Sequence, residues 1–429
     1  MYSSPPFHPE LAPNMNFRFN ETHHRNTGSA MPRKRILFIA EAVTLAHVAR
    51  PMVLARGLHG ADYEVEFACA PRFMELFPEV DFPLHVIDSI PGERFIQALA
   101  KGAPLYDLET LEHYVNTELA LFADRKPDMV IGDFRLSLAV SAARSSIPYL
   151  NITNAYWSPH AELKFPVPEL PLVKVLGVGL AQRVFDLARP AAFAYHCLPM
   201  HRLRRRHGLP SLGFDLRRVY THADHVLYAD LPDWVPMGEL PSNHHLLGPL
   251  CWSPSMPSPP WWDDMPGDRP LIYITLGSSG RADLLPMLVE ALEPLPVGIM
   301  AATAGRVDIA PQDKRVHLAD YLPGEDAAAR ARLVICNGGS PTVYQALAAG
   351  VPVLGLPTNL DQYLNMQAVV RHGAGLCLRA DRANGPAVKQ AVTRLLEEPD
   401  FHRHARILGK DISTLDPVTR LSRILSEIA

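Results

Sequence analysis

The chain has 429 residues, 48% hydrophobic and 20% charged, with 41 basic against 45 acidic side chains. That length holds two or three domains of about 100–200 residues, each able to bury its own core, so disorder is excluded for most of the chain. A formal net charge of −4 supplies no electrostatic footprint for a phosphate backbone, which argues against nucleic acid as a partner.

Residues 1–32 are polar, rich in Pro, Asn and His, and lack helical or strand periodicity; they read as a disordered extension in which His23 and His24 could bind adventitious metal, a solvated tail being the simpler reading. No signal-peptide core follows the early charges, and no apolar run reaches the roughly 18 residues of a membrane span, so a cytoplasmic location is expected. A first domain is expected over 33–249. In it Ile36–Ala40 is an apolar strand bounded by charges, His47–Leu58 a helix and Tyr63–Ala70 a second strand. Strand, helix and strand recur at Pro127–Phe134, Arg135–Ile147 and Pro148–Thr153, which points to a doubly wound parallel sheet. His47 and Asp133 then fall on the rim where the strands' carboxyl ends gather ligands. Residues 170–212 suggest long helices ending in a basic turn of Arg202, Arg204, Arg205 and Arg206. That turn could meet anionic lipid, and a solvated helix face is the simpler reading.

Residues 250–270, Pro-rich with paired tryptophans, read as an interdomain linker. A second α/β domain is expected over 271–410, and 411–429 reads as a helix able to pack back across the interface. Cys69, Cys197, Cys251, Cys336 and Cys377 are scattered without zinc spacing and read as reduced structural thiols.

Three strand ends in the second domain carry the chemistry. At Leu276-Gly277-Ser278-Ser279-Gly280 small residues let backbone N–H groups approach an anion. At Asn337-Gly338-Gly339-Ser340-Pro341-Thr342 a Gly-Gly pair leaves a strand and Pro341 suits the first position of a helix, whose free N–H groups and partial positive charge favour an oxyanion. Neither turn is a Walker loop, and no GxGxxG follows the first strand. The third end places Asp361 beside Gln362, acceptors and donors suited to adjacent sugar hydroxyls, although such a pair often serves as a helix cap.

From Asn337 to Gly375 the chain resembles the donor-binding signature of the family 1 nucleotide-sugar glycosyltransferases, which include bacterial natural-product enzymes. That signature reads HGGxGTxxEA, then GxPxxxxPxxxDQxxNA, then GxG, and Asp361 and Gln362 stand 24 and 25 positions after Asn337, matching its spacing. Ala46-His47 resembles the family's Gly-His segment, and Asp133-Phe134 the strand end that supplies the acid partner of that histidine. The resemblance implies a GT-B fold, two Rossmann-like doubly wound domains facing each other across a cleft. It implies a UDP- or dTDP-linked sugar as co-substrate, with no cofactor and no metal, and a small hydroxylated acceptor.

Carried over by position, the resemblance puts Ser278, Ser340, Pro341 and Thr342 around the diphosphate, with Gly277, Ser279, Gly338 and Gly339 also among the donor-binding residues. It stacks Tyr321, next to Leu322, on the nucleobase and gives the donor sugar to Asp361 and Gln362. Three positions depart from the family: Asn337 replaces a phosphate-binding histidine, Gln345 a ribose-binding glutamate and Pro341 a glycine. Arg281 could replace the missing positive charge. His47 would act as general base, oriented by Asp133, in an inverting displacement. Phe95, Tyr106, Trp157 and Phe165 would wall the acceptor pocket. His160, His201 and His317 read as structural. Two other functions stay open: a GT-B sugar-nucleotide 2-epimerase and a non-catalytic sugar-nucleotide-binding helper. Nothing in the sequence sets an oligomeric state.

Overall fold

Lys34–Ala40 (β1) is buried from Ile36 onward because it lies inside a parallel sheet covered on both faces, which is why it reads as an unbroken apolar run. The computed structural model describes residues 33–428 apart from 61, 79, 255, 266, 278–279 and 308–313; the 1–32 extension with His23 and His24, and Ser278 and Ser279, lie outside the described residues. The other strands of the first sheet are Tyr63–Cys69 (β2), Leu84–Val86 (β3), Met129–Asp133 (β4), Tyr149–Thr153 (β5), His225–Tyr228 (β6) and His244–Leu246 (β7). All pair in parallel in the order β3-β2-β1-β4-β5-β6-β7.

The second sheet comprises Leu271–Thr275 (β8), Gly298–Ala302 (β9), Val316–Ala319 (β10), Leu333–Cys336 (β11), Val353–Gly355 (β12) and Gly375–Cys377 (β13). Its order, β10-β9-β8-β11-β12-β13, repeats the plan of the first. In each sheet the strand order reverses once, between β1 and β4 and between β8 and β11, so each has a crevice at the carboxyl ends of those strands. His47 and Asp133 flank the first crevice; Gly277 and Asn337 flank the second.

Strands β3, β6, β7, β10 and β13, of three or four residues each, have no counterpart in the sequence expectations. The long helices expected after residue 170 are Pro171–Arg206, in which the non-helical Gly177 (φ 69°, ψ 167°) separates two helices across a kink. Between the sheets a shared apolar cluster joins Tyr156 and Trp234 of the first half to Val343, Tyr344 and Leu364 of the second. The last helix, Pro417–Ile428, sends Leu421, Ile424 and Leu425 into the core around β1 and helix Leu45–Leu58. Gly57 is bare there because a Cβ would stand 2.5 Å from Val418.

Candidate active site

His47 sits in the first turn of helix Leu45–Leu58, and Asp133 is the last residue of β4, the strand beside β1. His47 Nδ1 lies 2.8 Å from Asp133 Oδ1. Asp133 is fully buried, while the His47 side chain keeps 19% of its surface. One helical turn on, Arg50 donates from Nε to Asp133 Oδ2 at 2.8 Å and from Nη2 to Oδ1 at 2.7 Å. Arg50 Nη2 also stands 3.2 Å from His47 Nδ1. A guanidinium cannot accept, and two acceptors do not approach to 2.8 Å, so the proton belongs on Nδ1, donated to Asp133, and the arginine contact is a close approach rather than a second hydrogen bond. That tautomer leaves the Nε2 lone pair able to take a proton, with no hydrogen-bond partner among the described residues.

The ring is held from its face as well. Phe134, in the left-handed region at φ 56°, stacks on His47 with centroids 4.5 Å apart and planes at 12°. A bulky residue adopts that backbone only where its surroundings impose it. Here both flanks are clamped: Asp133 by Arg50, and Arg135 by Glu41 and Glu118 at 2.9 and 2.6 Å in a buried triad. Burial pushes the Glu41 carboxyl above its usual range, opposed by Arg135. From Phe134 a continuous aromatic wall runs through Tyr220 (5.5 Å) to Trp157 (4.9 Å from Tyr220), with Phe95 edge-on to Phe134 at 6.1 Å. Trp157 Nε1 donates to Asp361 Oδ1 at 2.8 Å, and Tyr156 donates to Oδ2 at 3.3 Å. The wall therefore begins at the imidazole of the first domain and ends at a carboxylate of the second.

A buried polar path also links the two halves. Arg50 Nη1 donates to Asn154 Oδ1 at 2.6 Å, and Asn154 Nδ2 donates to Ser340 Oγ and to Asp230, at 3.3 and 3.2 Å. Asp230 further accepts from the Ala155 N–H (2.6 Å) and from Tyr344 (2.9 Å). Burial pushes the Asp230 carboxyl above the usual range, and these bonds pull the other way. Burial would lower Arg50, but the adjoining Asp133 holds it charged.

In the second domain, Ser340 opens helix Ser340–Ala348 with Pro341 and Thr342 in its first turn; Asn337 Oδ1 accepts from the Gly339 N–H, and Gly338 adopts φ 83°. The glycine turn after β8 closes on the same place: a Cβ on Gly280 would meet Leu276 O at 2.1 Å and Asn337 Cβ at 2.9 Å. Arg281 forks onto Asp283 at 2.5 and 3.2 Å, while Arg306 donates to the Gly277 and Gly280 carbonyls. Gln345 Nε2 donates to Trp252 O of the linker at 2.6 Å, and its Oε1 faces Gly324, where a Cβ would stand 2.8 Å away. The adjoining Tyr321 is 52% exposed and Leu322 buried. Asp361 and Gln362 diverge: Gln362 Oε1 accepts from the Thr358 N–H at 2.9 Å within a capping box with Asn359, whereas Asp361 crosses to the first domain.

Phe95 and Trp157 thus stand on the aromatic wall and Tyr106 lies behind it in the core cluster of Phe95. Phe165 is edge-on to Phe193 under the Arg189 guanidinium and belongs to the apolar cluster of Tyr156 against which Trp157 packs. Arg50, Asn154, Asp230, Tyr220 and Arg306 escaped the sequence reading. Arg50 had a signal, its place one turn after His47 on the same helix face. Asn154 and Asp230 follow the ends of β5 and β6, on the same rim as Asp133.

Residues 294–424 match the family model described as erythromycin biosynthesis protein CIII-like, C-terminal domain. A PGL/p-HBAD biosynthesis glycosyltransferase of Mycobacterium tuberculosis (strain ATCC 25177 / H37Ra) is 50% identical over 378 residues, 88% of each chain. A PGL/p-HBAD biosynthesis rhamnosyltransferase of Mycobacterium bovis (strain BCG / Pasteur 1173P2) is 49% identical over 382 residues, 89% of this chain and 85% of the relative. In fold the chain is similar to the spinosyn rhamnosyltransferase SpnG, solved with thymidine diphosphate, at a TM-score of 0.64 and 18% identity over 92% of this chain and all of that one. With two parallel-sheet domains of GT-B type and relatives of this identity along most of its length, the chain belongs to the glycosyltransferase family of these PGL/p-HBAD biosynthesis enzymes, its second half matching the erythromycin CIII-like carboxyl-terminal domain.

Proposed function

We propose that this enzyme moves a hexose or deoxyhexose from a UDP- or dTDP-linked donor to a hydroxyl of a small apolar or aromatic acceptor, with inversion at the anomeric carbon. The observation that carries the reading is the wall joining the free Nε2 edge of His47 to Asp361, with the His47–Asp133–Arg50 cluster bonded through Asn154 to Ser340 at a helix start. A base, a sugar-binding carboxylate and an anion-binding helix end are the three elements that sugar transfer from a diphosphate requires.

In the step, His47 Nε2 takes the proton of the acceptor hydroxyl as its oxygen forms the bond to the anomeric carbon. The bond from that carbon to the diphosphate oxygen breaks, and the nucleoside diphosphate leaves with the electron pair. Asp133 holds the Nδ1 proton and faces the imidazolium. The N–H groups of Ser340 and Thr342, and those of the glycine turn, receive the leaving charge; Pro341 contributes none. Asp361 takes sugar hydroxyls, which requires Trp157 and Tyr156 to share or yield its oxygens. The name of the M. bovis relative favours rhamnose among the sugars, and the PGL/p-HBAD of both relatives' names favours a natural-product acceptor.

Incubation with a panel of UDP- and dTDP-sugars and phenolic acceptors, read by mass spectrometry, is the test. Transfer to the acceptor with an inverted linkage is expected, and His47→Ala lowers turnover about 10²–10⁴-fold while donor binding survives. Isomerised sugar without an acceptor product would make the protein an epimerase, saturable binding without turnover would make it a helper, and undiminished turnover in the variant would remove His47 from the step.

A further inference from the structure

Helix Pro171–Arg206 carries an apolar stripe that no other described part of the chain covers. Leu180, Val184, Leu187, Tyr195 and Leu198 recur at intervals that return to one side of the helix, each at least a third exposed and Leu187 at 87%. The opposite side is anchored, with Ala181, Cys197, Met200 and Leu203 buried, so the exposure comes from the docked orientation of the helix. A row of large apolar side chains of this length, about 27 Å at 1.5 Å per residue, marks a surface that meets something.

Charge selects the occupant. Four and seven residues on from Leu198, the same stripe continues into Arg202 and Arg205, both exposed, and Arg183 lies at its edge. Neither Arg202 nor Arg205 has an ion-pair partner among the described residues, whereas Arg206 reaches Glu112. The helix carries seven Lys and Arg against one acid, Asp186, in a chain whose net charge is −4. Asp186 lies off the stripe, where it accepts from Gln182. A second copy of the helix would set these cations against one another. Among the described residues no helix is long and apolar enough to cross a membrane, so this one would lie along a surface rather than span it.

We propose that this face of helix Pro171–Arg206 docks on a lipid bilayer bearing anionic headgroups, its leucines entering the acyl boundary and Arg202 and Arg205 meeting the headgroup charge. The inner side of the same helix, through His196, Pro199 and Met200, lines a small apolar cavity with Tyr106 and Tyr220, so the docked surface lies directly behind the aromatic wall.

The test is co-sedimentation of the full chain with mixed phosphatidylglycerol–phosphatidylcholine vesicles and with phosphatidylcholine alone. Binding to the anionic vesicles is expected, weakening with salt, with little binding to the neutral ones. Arg202→Glu/Arg205→Glu should weaken the partition by about 30-fold or more at low ionic strength. Leu187→Glu should weaken it by about 10-fold or more. Both variants alter exposed positions and should keep the parent circular dichroism and thermal midpoint. Absence of binding to anionic vesicles overturns the proposal, as does equal binding by folded variants. So does a concentration-dependent dimer that Leu187→Glu dissolves while vesicles bind nothing.

Discussion

Replacing Arg50 with methionine tests the ion cluster under His47. Arg50 is 5% exposed, and its guanidinium makes three short bonds, two to Asp133 and one to Asn154. Arg50→Met keeps an unbranched chain of similar reach but leaves a fully buried carboxylate with one remaining donor, the His47 Nδ1–H. Removing one partner of a buried pair costs about 3–5 kcal/mol, most of it the uncompensated charge. Asp133→Asn strands the guanidinium and should cost a similar amount. The double variant removes both charges together, so it should recover much of the loss, with a coupling of about 2 kcal/mol or more in a double-mutant cycle. Turnover should not recover, because the amide no longer fixes the Nδ1–H tautomer and the ring loses its orientation, at about 10²-fold or worse. The assays are urea unfolding followed by tryptophan fluorescence and product formation at saturating donor. A cost below about 1 kcal/mol for Arg50→Met, or a double variant no more stable than the sum of the singles predicts, would refute the pairing.

Two further outcomes follow from groups outside that cluster. Gln345→Glu restores the acid usual in the family, yet it sets a carboxylate against Trp252 O, now 2.6 Å from an amide donor. It should cost about 1–3 kcal/mol of stability without tightening donor binding, checked by unfolding and by calorimetric titration of UDP and dTDP. Acid should destabilise the protein well above the carboxylate range. Burial pushes His222, His244 and His402 down to about 4, so between pH 6.5 and 4 the unfolded chain binds more protons and stability falls as pH falls. From pH 7 to pH 5 the loss is about 2 kcal/mol at the buried His402 and about half that at each of the other two, which are partly exposed. An unchanged urea midpoint at pH 5 would contradict this.

The long apolar strands and the spacing from Asn337 to Gln362 were legible because each depends on residues close in the chain. His47 and Asp133 were legible as neighbours because a doubly wound sheet brings strand ends to one rim. The contacts that turn this rim into a site join distant residues: Arg50 and Asp133 are 83 apart, Arg50 and Asn154 104, and Asn154 and Ser340 186. No local pattern encodes those. Asp361 and Gln362 show the reverse limit: they are adjacent in sequence and point to different tasks, because the first turn of a helix sends successive side chains to different sides. Likewise, Arg281 stands close to the glycine turn by position, but Asp283 two residues on captures it first.

The terminal helix Pro417–Ile428 belongs structurally to the half of the protein that the chain builds first. Chimeras that join the two halves of different parents by splicing at the Pro-rich linker would therefore inherit a foreign final segment. Leu421, Ile424 and Leu425 would have to fit a pocket shaped for another parent, with Val418 seated against the bare Cα of Gly57. A workable crossover needs two joints, one in the linker and one before residue 417, so that the closing dozen residues travel with the amino-terminal module.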